Sequence, residues 1–263
     1  MQMIESELAT DDADKNRAQH CDYSIRSLTK SFQEINPIRQ SKKNTTSSGR
    51  HGARNQHRHK IICKWILERF PLPENSLILD VAGGKGELAS RLTMCHQFRV
   101  VMVDPRPADI TSVYIKTVVT KLPKKWQQRL QCQLDHNPEF VNDILRETFQ
   151  QLCIYFDDDT VAHSPKLQSV IQDCSLIIGM HADGATEAIV DVALKYGKAF
   201  VVIPCCVFPN LFTERFIHDD NGRKVKVRSH EQFCQFLVDK DIRFQMEVLP
   251  FEGRNVAIWW DGK

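Results

Sequence analysis

No stretch of 18 consecutive apolar residues occurs in the 263-residue chain, so no membrane-spanning helix is expected. The amino-terminal region lacks the apolar core of a secretory signal, because Met1 leads into Glu5, Glu7, Asp11, Asp12 and Asp14. Those acids also argue against a mitochondrial presequence. A paired cysteine framework is missing. The nine cysteines are odd in number and scattered, several inside apolar runs, which fits reduced thiols in a cytoplasmic or nuclear protein. No internal repeat is present. With 42% hydrophobic and 26% charged residues, the composition is that of an ordinary globular chain. A core of ~200 residues buries most of its apolar surface without disulfides or a structural metal.

One absence is local. Between Arg39 and Lys60 there is no Asp or Glu, while Arg39, Lys42, Lys43, Arg50, Arg54, Arg58 and Lys60 are all basic. These seven charges leave the rest of the chain net acidic by five, since the total is +2. The same segment contains Ser41-Lys-Lys-Asn-Thr-Thr-Ser-Ser-Gly49, which has nothing to bury and reads as a linker. Residues 1–58 are therefore expected to be a flexible, largely disordered basic arm, with only a short docking helix possible around Tyr23 to Ile35, and residues 59–263 the folded domain.

Within that domain, hydrophobic patterning alternates between two periods. Ile61, Ile62, Trp65, Ile66 and Phe70 recur at helical spacing until Pro71 and Pro73. Short apolar runs at 76–81, 98–103, 153–156, 176–180 and 199–203 read as strands. Helical segments are expected at 87–94, 141–152, 167–171, 186–196 and 231–239, and the runs 244–249 and 256–260 form an antiparallel hairpin. This alternation predicts an α/β fold with a Rossmann-like, doubly wound, seven-stranded sheet, parallel except at its carboxyl-terminal hairpin. Ligands of such sheets lie at the carboxyl ends of the strands.

After the first strand comes Asp80-Val-Ala82-Gly83-Gly84-Lys-Gly86-Glu-Leu-Ala89. Glycines allow a sharp strand-to-helix turn and close approach of a ligand. Gly84-x-Gly86-x-x-Ala89 formally fits a dinucleotide loop. An acid at position 80 sits badly beside a pyrophosphate and well beside a cationic amino group, as in S-adenosylmethionine. Asp104, ending the second strand, suits a ribose diol in either case.

Asp80-x-Ala82-x-Gly84-x-Gly86 resembles the first motif of class I S-adenosylmethionine-dependent methyltransferases, with Ala82 in place of its first glycine. The terminal hairpin is similar to that family's antiparallel seventh strand, and the likeness spans roughly residues 60 to 263. It implies cofactor contacts from Asp80, Ala82, Gly83, Gly84, Gly86, Asp104 and Met180, and a further acid contact from Asp157, within Asp157-Asp158-Asp159; a solvated loop is the other reading of those three.

The segment after the fourth strand, Gly179-Met180-His181-Ala182-Asp183-Gly184, is similar to the Leu-His-x-Cys-Gly segment of the tRNA 2′-O-methyltransferase family. That family also has a Cys-Cys pair after the fifth strand, as Pro204-Cys205-Cys206 stands here. Asp183 departs from the family's cysteine. The longer string through Val207-Phe208-Pro209 resembles a eukaryotic methyltransferase-like group. The resemblance puts His181, Asp183, Cys205 and Cys206 where catalytic residues stand. His181 suits a general base, with Asp183 orienting it; alternatively His181 caps the strand and Asp183 or Thr186 caps the next helix. Cys205 and Cys206 are open to three roles: a thiolate nucleophile, a zinc ligand pair, or small apolar packing. No metal is expected.

The basic arm from Arg39 to Lys60 suits a phosphate backbone, which makes RNA the first candidate partner; an unspecific basic tail or nuclear import signal is the other reading of the arm, and a protein or small molecule the other methyl acceptor. Lys121, Lys124, Lys125 and Arg129 around Trp126, and Lys224, Lys226 and Arg228 after Asn221-Gly222, extend the basic surface, with Trp126 offering a stacking ring. The sequence thus points to an S-adenosylmethionine-dependent methyltransferase acting on RNA. A non-catalytic RNA-binding or assembly factor on the same fold, and an NAD-dependent oxidoreductase, are the alternatives.

Overall fold

The computed structural model describes residues 57–219 and 221–263. The basic arm therefore lies outside the described residues, apart from its last positions from His57 onward. Helix α1, Arg58–Arg69, buries Ile62, Trp65 and Ile66 and ends at the extended Phe70, ahead of Pro71. Strand β1, Leu77–Val81, is followed by α2, Glu87–His96, and β2, Arg99–Val103. Then come the short α3, Ile110–Val113, with its side-chain cap from Asp109, and helices α4, Lys124–His136, and α5, Phe140–Thr148. Strand β3, Phe149–Leu152, precedes α6, Asp158–His163, and α7, Pro165–Asp173. Strand β4, Leu176–Met180, α8, Thr186–Tyr196, and β5, Phe200–Ile203, follow. A small hairpin, β6 Phe216–His218 and β7 Lys224–Lys226, leads to α9, His230–Val238, and to β8, Gln245–Val248, and β9, Val256–Trp260.

The seven-stranded sheet has the order β3-β2-β1-β4-β5-β9-β8. β9 runs antiparallel to both neighbours, so six strands point one way and β9 alone the other. The pleat sends alternate residues into two cores. Ile78, Val100, Met102 and Ile178 pack with α1 and α2, whereas Leu79, Val101, Val103 and Ile177 pack with α7 and α8. Each fully buried Ile, Leu or Phe in these cores contributes ~1.5–3 kcal/mol, and the two-sided burial explains why the strands read as continuous apolar runs.

Two expectations need correction. The third strand is Phe149–Leu152, not 153–156, and α5 stops at Thr148. Phe149 to Leu152 pair in register with Val100 to Val103, at the sheet's edge. An edge strand tolerates polar residues, so Phe-Gln-Gln-Leu was indistinguishable from the end of the preceding helix. Gln151 is used at that edge: its side chain accepts from the Ala108 amide and donates to the Arg106 carbonyl. Trp126 is not an exposed stacking platform either. It is 8% exposed within α4, with the Arg129 guanidinium 4.7 Å from its ring centre. Lys224 and Lys226 lie on a β-hairpin.

Helix α1 is fixed to the far side of the sheet by aromatic contacts. Trp65, Phe70 and Trp259 meet edge to face at 5.9–6.0 Å between centres. Arg69 lies over Trp65 and Trp259 and pairs with Glu247.

Candidate active site

The carboxyl ends of β1, β2, β4 and β5 converge, and their loops carry most of the residues singled out in the sequence. Asp80 belongs to β1 and is 1% exposed. Its Oδ2 has no hydrogen-bond partner among the described residues. Burial, and after it the nearby Asp104, pushes its carboxyl up to about 7. The chain then turns through three left-handed positions, Ala82 at φ 55°, Gly84 at φ 61° and Gly86 at φ 78°. The turn is held by Ala82 N–H donating to the Val103 carbonyl at 2.7 Å and Gly86 N–H donating to the Gly83 carbonyl at 2.9 Å. At Gly83 a Cβ would stand 2.5 Å from the Met102 sulfur and 2.8 Å from the orphaned Asp80 Oδ2. At Gly86 it would stand 1.9 Å from the end of Ile110. A side chain at either place would have to push these neighbours aside, and the loop forms a backbone cradle around one unpaired carboxylate oxygen.

Asp104 is equally buried, at 1% exposure, but fully engaged. It accepts from the Gly84 amide at 2.9 Å and from the amide and guanidinium of Arg106 at 3.0–3.2 Å. Burial alone would raise its carboxyl, yet these donors hold it below the usual range. Arg106 itself is 77% exposed, so it covers Asp104 from the solvent side. Sequence reasoning missed it, although an Arg two residues beyond the acid was in plain view.

Glu87, in the first turn of α2, meets His59 Nδ1 and Arg91 at 3.1 Å each. Burial opposes its ionisation, but the His59 and Arg91 contacts hold the carboxyl down to about 2. Helix α1 thus starts beside the glycine loop.

On the β4 side, His181 adopts φ 55° and donates its backbone N–H to the Ile203 carbonyl at 3.1 Å. Its Nδ1 is buried without a partner. Burial pushes its imidazole down to about 4, helped by the positive charges of Arg58 and His59. The helix cap of the alternative reading is not found: α8 has no side-chain cap, and the Thr186 hydroxyl is buried without a partner. Asp183, at φ 47°, instead accepts from the Cys205 thiol at 3.0 Å. Burial, then this bond, pushes the Cys205 thiol up to about 12, and the Asp183 contact raises Cys206 as well. A thiolate nucleophile needs the opposite direction, so this environment opposes that role in the metal-free protein.

The cysteine loop has a buried support that the sequence did not advertise. Arg215, 3% exposed, donates to Glu187 at 2.6 Å and to the Val207 carbonyl at 3.0 Å. Its guanidinium lies 3.7 Å from the Phe212 ring centre and 4.5 Å from that of Phe233. The His230 Nε2 hydrogen-bonds the Pro204 carbonyl at 3.0 Å. Asp157 is an N-cap: its carboxylate accepts from the Thr160 amide at 2.8 Å and starts α6.

No protein-family model matches the sequence, and no curated protein matches it. Several solved structures are similar to the chain at low identity. A precorrin-6y C5,15-methyltransferase from Geobacter metallireducens GS-15 is 12% identical, over 75% of this chain and 84% of that one, with a TM-score of 0.38. A SAM-dependent methyltransferase from Aquifex aeolicus is 14% identical, over 78% of this chain and 91% of that one, with a TM-score of 0.41. A chain of a fibrillarin/Nop5p complex is 12% identical, over 82% of this chain and 90% of that one, with a TM-score of 0.42. The fold class rests on the sheet itself, with its order β3-β2-β1-β4-β5-β9-β8 and single antiparallel strand. The fold is a Rossmann-like α/β sheet, parallel except for β9. Among the described residues, no helix is long and apolar enough to cross a membrane.

Proposed function

We propose that the chain is an S-adenosylmethionine-dependent methyltransferase. One observation carries this reading: a buried carboxylate oxygen of Asp80 without a partner, at the carboxyl end of β1 and against a glycine where a Cβ would crowd Met102 and that oxygen. Such an oxygen lacks a cationic donor, and the cofactor's amino group is one. Asp104 is the acid for the ribose hydroxyls, and Ala82, Gly83, Gly84 and Gly86 are the wall. Met180 and His181 flank the methyl side. When bound, the cofactor supplies a methyl group activated by a sulfonium centre. The chain's residues align the acceptor with it, and alignment is the main contribution. His181 is neutral at pH 7 with Nδ1 free, so it can take a proton from an acceptor that must lose one, although its burial weakens it as a base.

The acceptor side favours RNA. Helix α1 begins at Arg58, where the seven-charge arm ends, and Arg58 and His59 act electrostatically on His181. A polyanion bound at Arg58 and His59 would lie on the His181 side of the site, which supports this reading. A second reading, a methyltransferase fold without catalysis, is favoured by one feature: Arg106 already satisfies Asp104. The dinucleotide reading has an unpaired acid at position 80 against it.

Calorimetric titration with S-adenosylhomocysteine, beside NAD and an Asp80→Ala variant, separates these readings. Micromolar binding that the variant loses is the expected result, and no binding of either ligand would leave the non-catalytic reading. Transfer of labelled methyl to RNA, reduced when Lys42, Lys43, Arg50 and Arg54 are changed to Gln, tests the acceptor.

A further inference from the structure

The loops after β4 and β5 hold a second constellation, distinct in chemistry from the cofactor cradle. β4 and β5 pair in parallel with Met180 opposite Ile203, so whatever follows each strand emerges side by side. Asp183 follows one, and Cys205 and Cys206 follow the other. One carboxylate oxygen and the two sulfurs all lie within 4.8 Å of one another. The ligand atoms of a tetrahedral zinc ion, bonded at ~2.0–2.3 Å, stand ~3.5–3.8 Å apart. Small side-chain rotations therefore close the three donors around one ion.

The donor types select the metal. Two thiolates and a carboxylate suit zinc, whereas magnesium and calcium take oxygen alone. Three protein ligands leave the fourth position open, as in catalytic rather than structural zinc sites. The donors sit on a braced frame. Asp183 is aimed by its left-handed backbone, and the Cys205 thiol already hydrogen-bonds its carboxylate. His230 anchors the Pro204 carbonyl, and the buried Arg215 ties Val207 to Glu187 at the start of α8. Outer groups of this kind fix metal ligands in place. The cluster is exposed on its outer side at Asp183 and Cys206, which leaves an approach for a fourth ligand.

We infer that Asp183, Cys205 and Cys206 bind one zinc ion whose fourth position is open to water or to an acceptor atom. Binding expels the two thiol protons to solvent. With water as the fourth ligand, two thiolates, one carboxylate and the dication sum to a single negative charge. The ion would lower the pKa of an acceptor atom ligated there, a part the free thiols do not play. This inference does not depend on S-adenosylmethionine binding, which calorimetry reads separately.

The test is titration of the full-length protein, stripped of metal and fully reduced, with cobalt(II) as the probe. One equivalent per chain is expected, with a thiolate-to-cobalt charge-transfer band in the near ultraviolet that zinc bleaches. Cys205→Ser and Cys206→Ser should each remove much of that band. Asp183→Asn should keep sulfur ligation but weaken cobalt binding by ~10-fold or more. Cys153→Ser, at an exposed cysteine, serves as a control that changes nothing. A wild-type protein that takes up no stoichiometric cobalt overturns the inference, whether or not the variants fold. So does a band that survives in the folded Cys205→Ser/Cys206→Ser double variant, or a thiol count showing the two cysteines joined to each other under reducing conditions.

Discussion

The two halves of the site are built by different means. Around β1 the backbone does the shaping: left-handed turns and glycines, two of them where a side chain would crowd its neighbours, surround one carboxylate. Around β4 and β5 the side chains do it. Asp183 and Cys205 meet across 22 positions of sequence, and the loop that carries the cysteines is pinned by Arg215 and His230. A backbone cradle recognises a ligand's shape and one charge. A side-chain cluster offers chemistry that can change with protonation or with a metal. The first half is the part suited to an invariant cofactor, and the second is the part suited to an acceptor.

The sharpest way to break this division is to remove the charge from the cradle. Asp80→Ala should weaken S-adenosylhomocysteine binding by about 10- to 150-fold, the worth of ~1.5–3 kcal/mol for a hydrogen bond to a charged group. An unchanged affinity would mean that the orphaned oxygen is not the cofactor's anchor. Cys205→Ser, on the other half, should leave that affinity within about twofold. Calorimetry on both variants sets the halves side by side.

Backbone shaping makes a second prediction. Gly86→Ala places a Cβ against the end of Ile110 and forces a left-handed alanine. The methyl end of Ile110 can rotate partly aside, so a loss of ~2–3 kcal/mol is expected from overpacking and backbone strain together. At Gly84 nothing lies within 4 Å, and Gly84→Ala should cost only the conformational part, ~1–2 kcal/mol. Urea midpoints with unchanged slopes measure both, and equal losses would show that Ile110 does not crowd the turn.

The pH dependence sharpens the comparison further. Burial raises the Asp80 carboxyl to about 7 from an ordinary 3.8. Only its ionised form pairs with a cation, so cofactor affinity should rise up to ~10-fold per pH unit below 7 and level off above it. In the cofactor-free protein the sign reverses. The folded state holds a proton there that the unfolded chain releases above about 3.8, so this group's contribution to stability falls as pH rises to about 7. Asp80→Asn should flatten the affinity profile and raise the thermal midpoint at pH 8, by ~2–4 °C for each kcal/mol gained. A pH-independent affinity in the unmodified protein would place the cation elsewhere.

The same division governs what the sequence made legible. The strands around β1, β2, β4 and β5 are buried on both faces, so their apolar runs and the glycine turn could be read directly. Edge strand β3 could not, because Phe149-Gln-Gln-Leu152 carries polar residues that an edge permits and a helix also permits. Trp126 looked like a free ring because neighbouring lysines and Arg129 made its surroundings look exposed, yet it faces inward. Asp183 beside Cys205, and Arg215 under the cysteine loop, depend on the parallel pairing of β4 with β5 and on α8 and α9 closing over it. No local spacing encodes those meetings. Arg106 is the intermediate case: adjacent to Asp104 in sequence, it was readable as a partner, but its bidentate grip is a matter of rotamer.

That grip gives the smallest and most diagnostic prediction. Arg106 holds Asp104 from an exposed position, where solvent screens the guanidinium and leaves its grip weak. A ribose diol seeking the same oxygens must displace it, so the pair taxes binding slightly. Arg106→Ala keeps the Gly84 amide on Asp104 Oδ2 and the residue-106 backbone amide on Oδ1, and removes both guanidinium bonds. S-adenosylhomocysteine affinity should therefore rise by ~1.5- to 5-fold, and the gain should shrink as salt is added, because salt already screens the pair. If affinity falls instead, Arg106 touches the cofactor, and the cradle then recognises its ligand through a side chain as well as through its backbone.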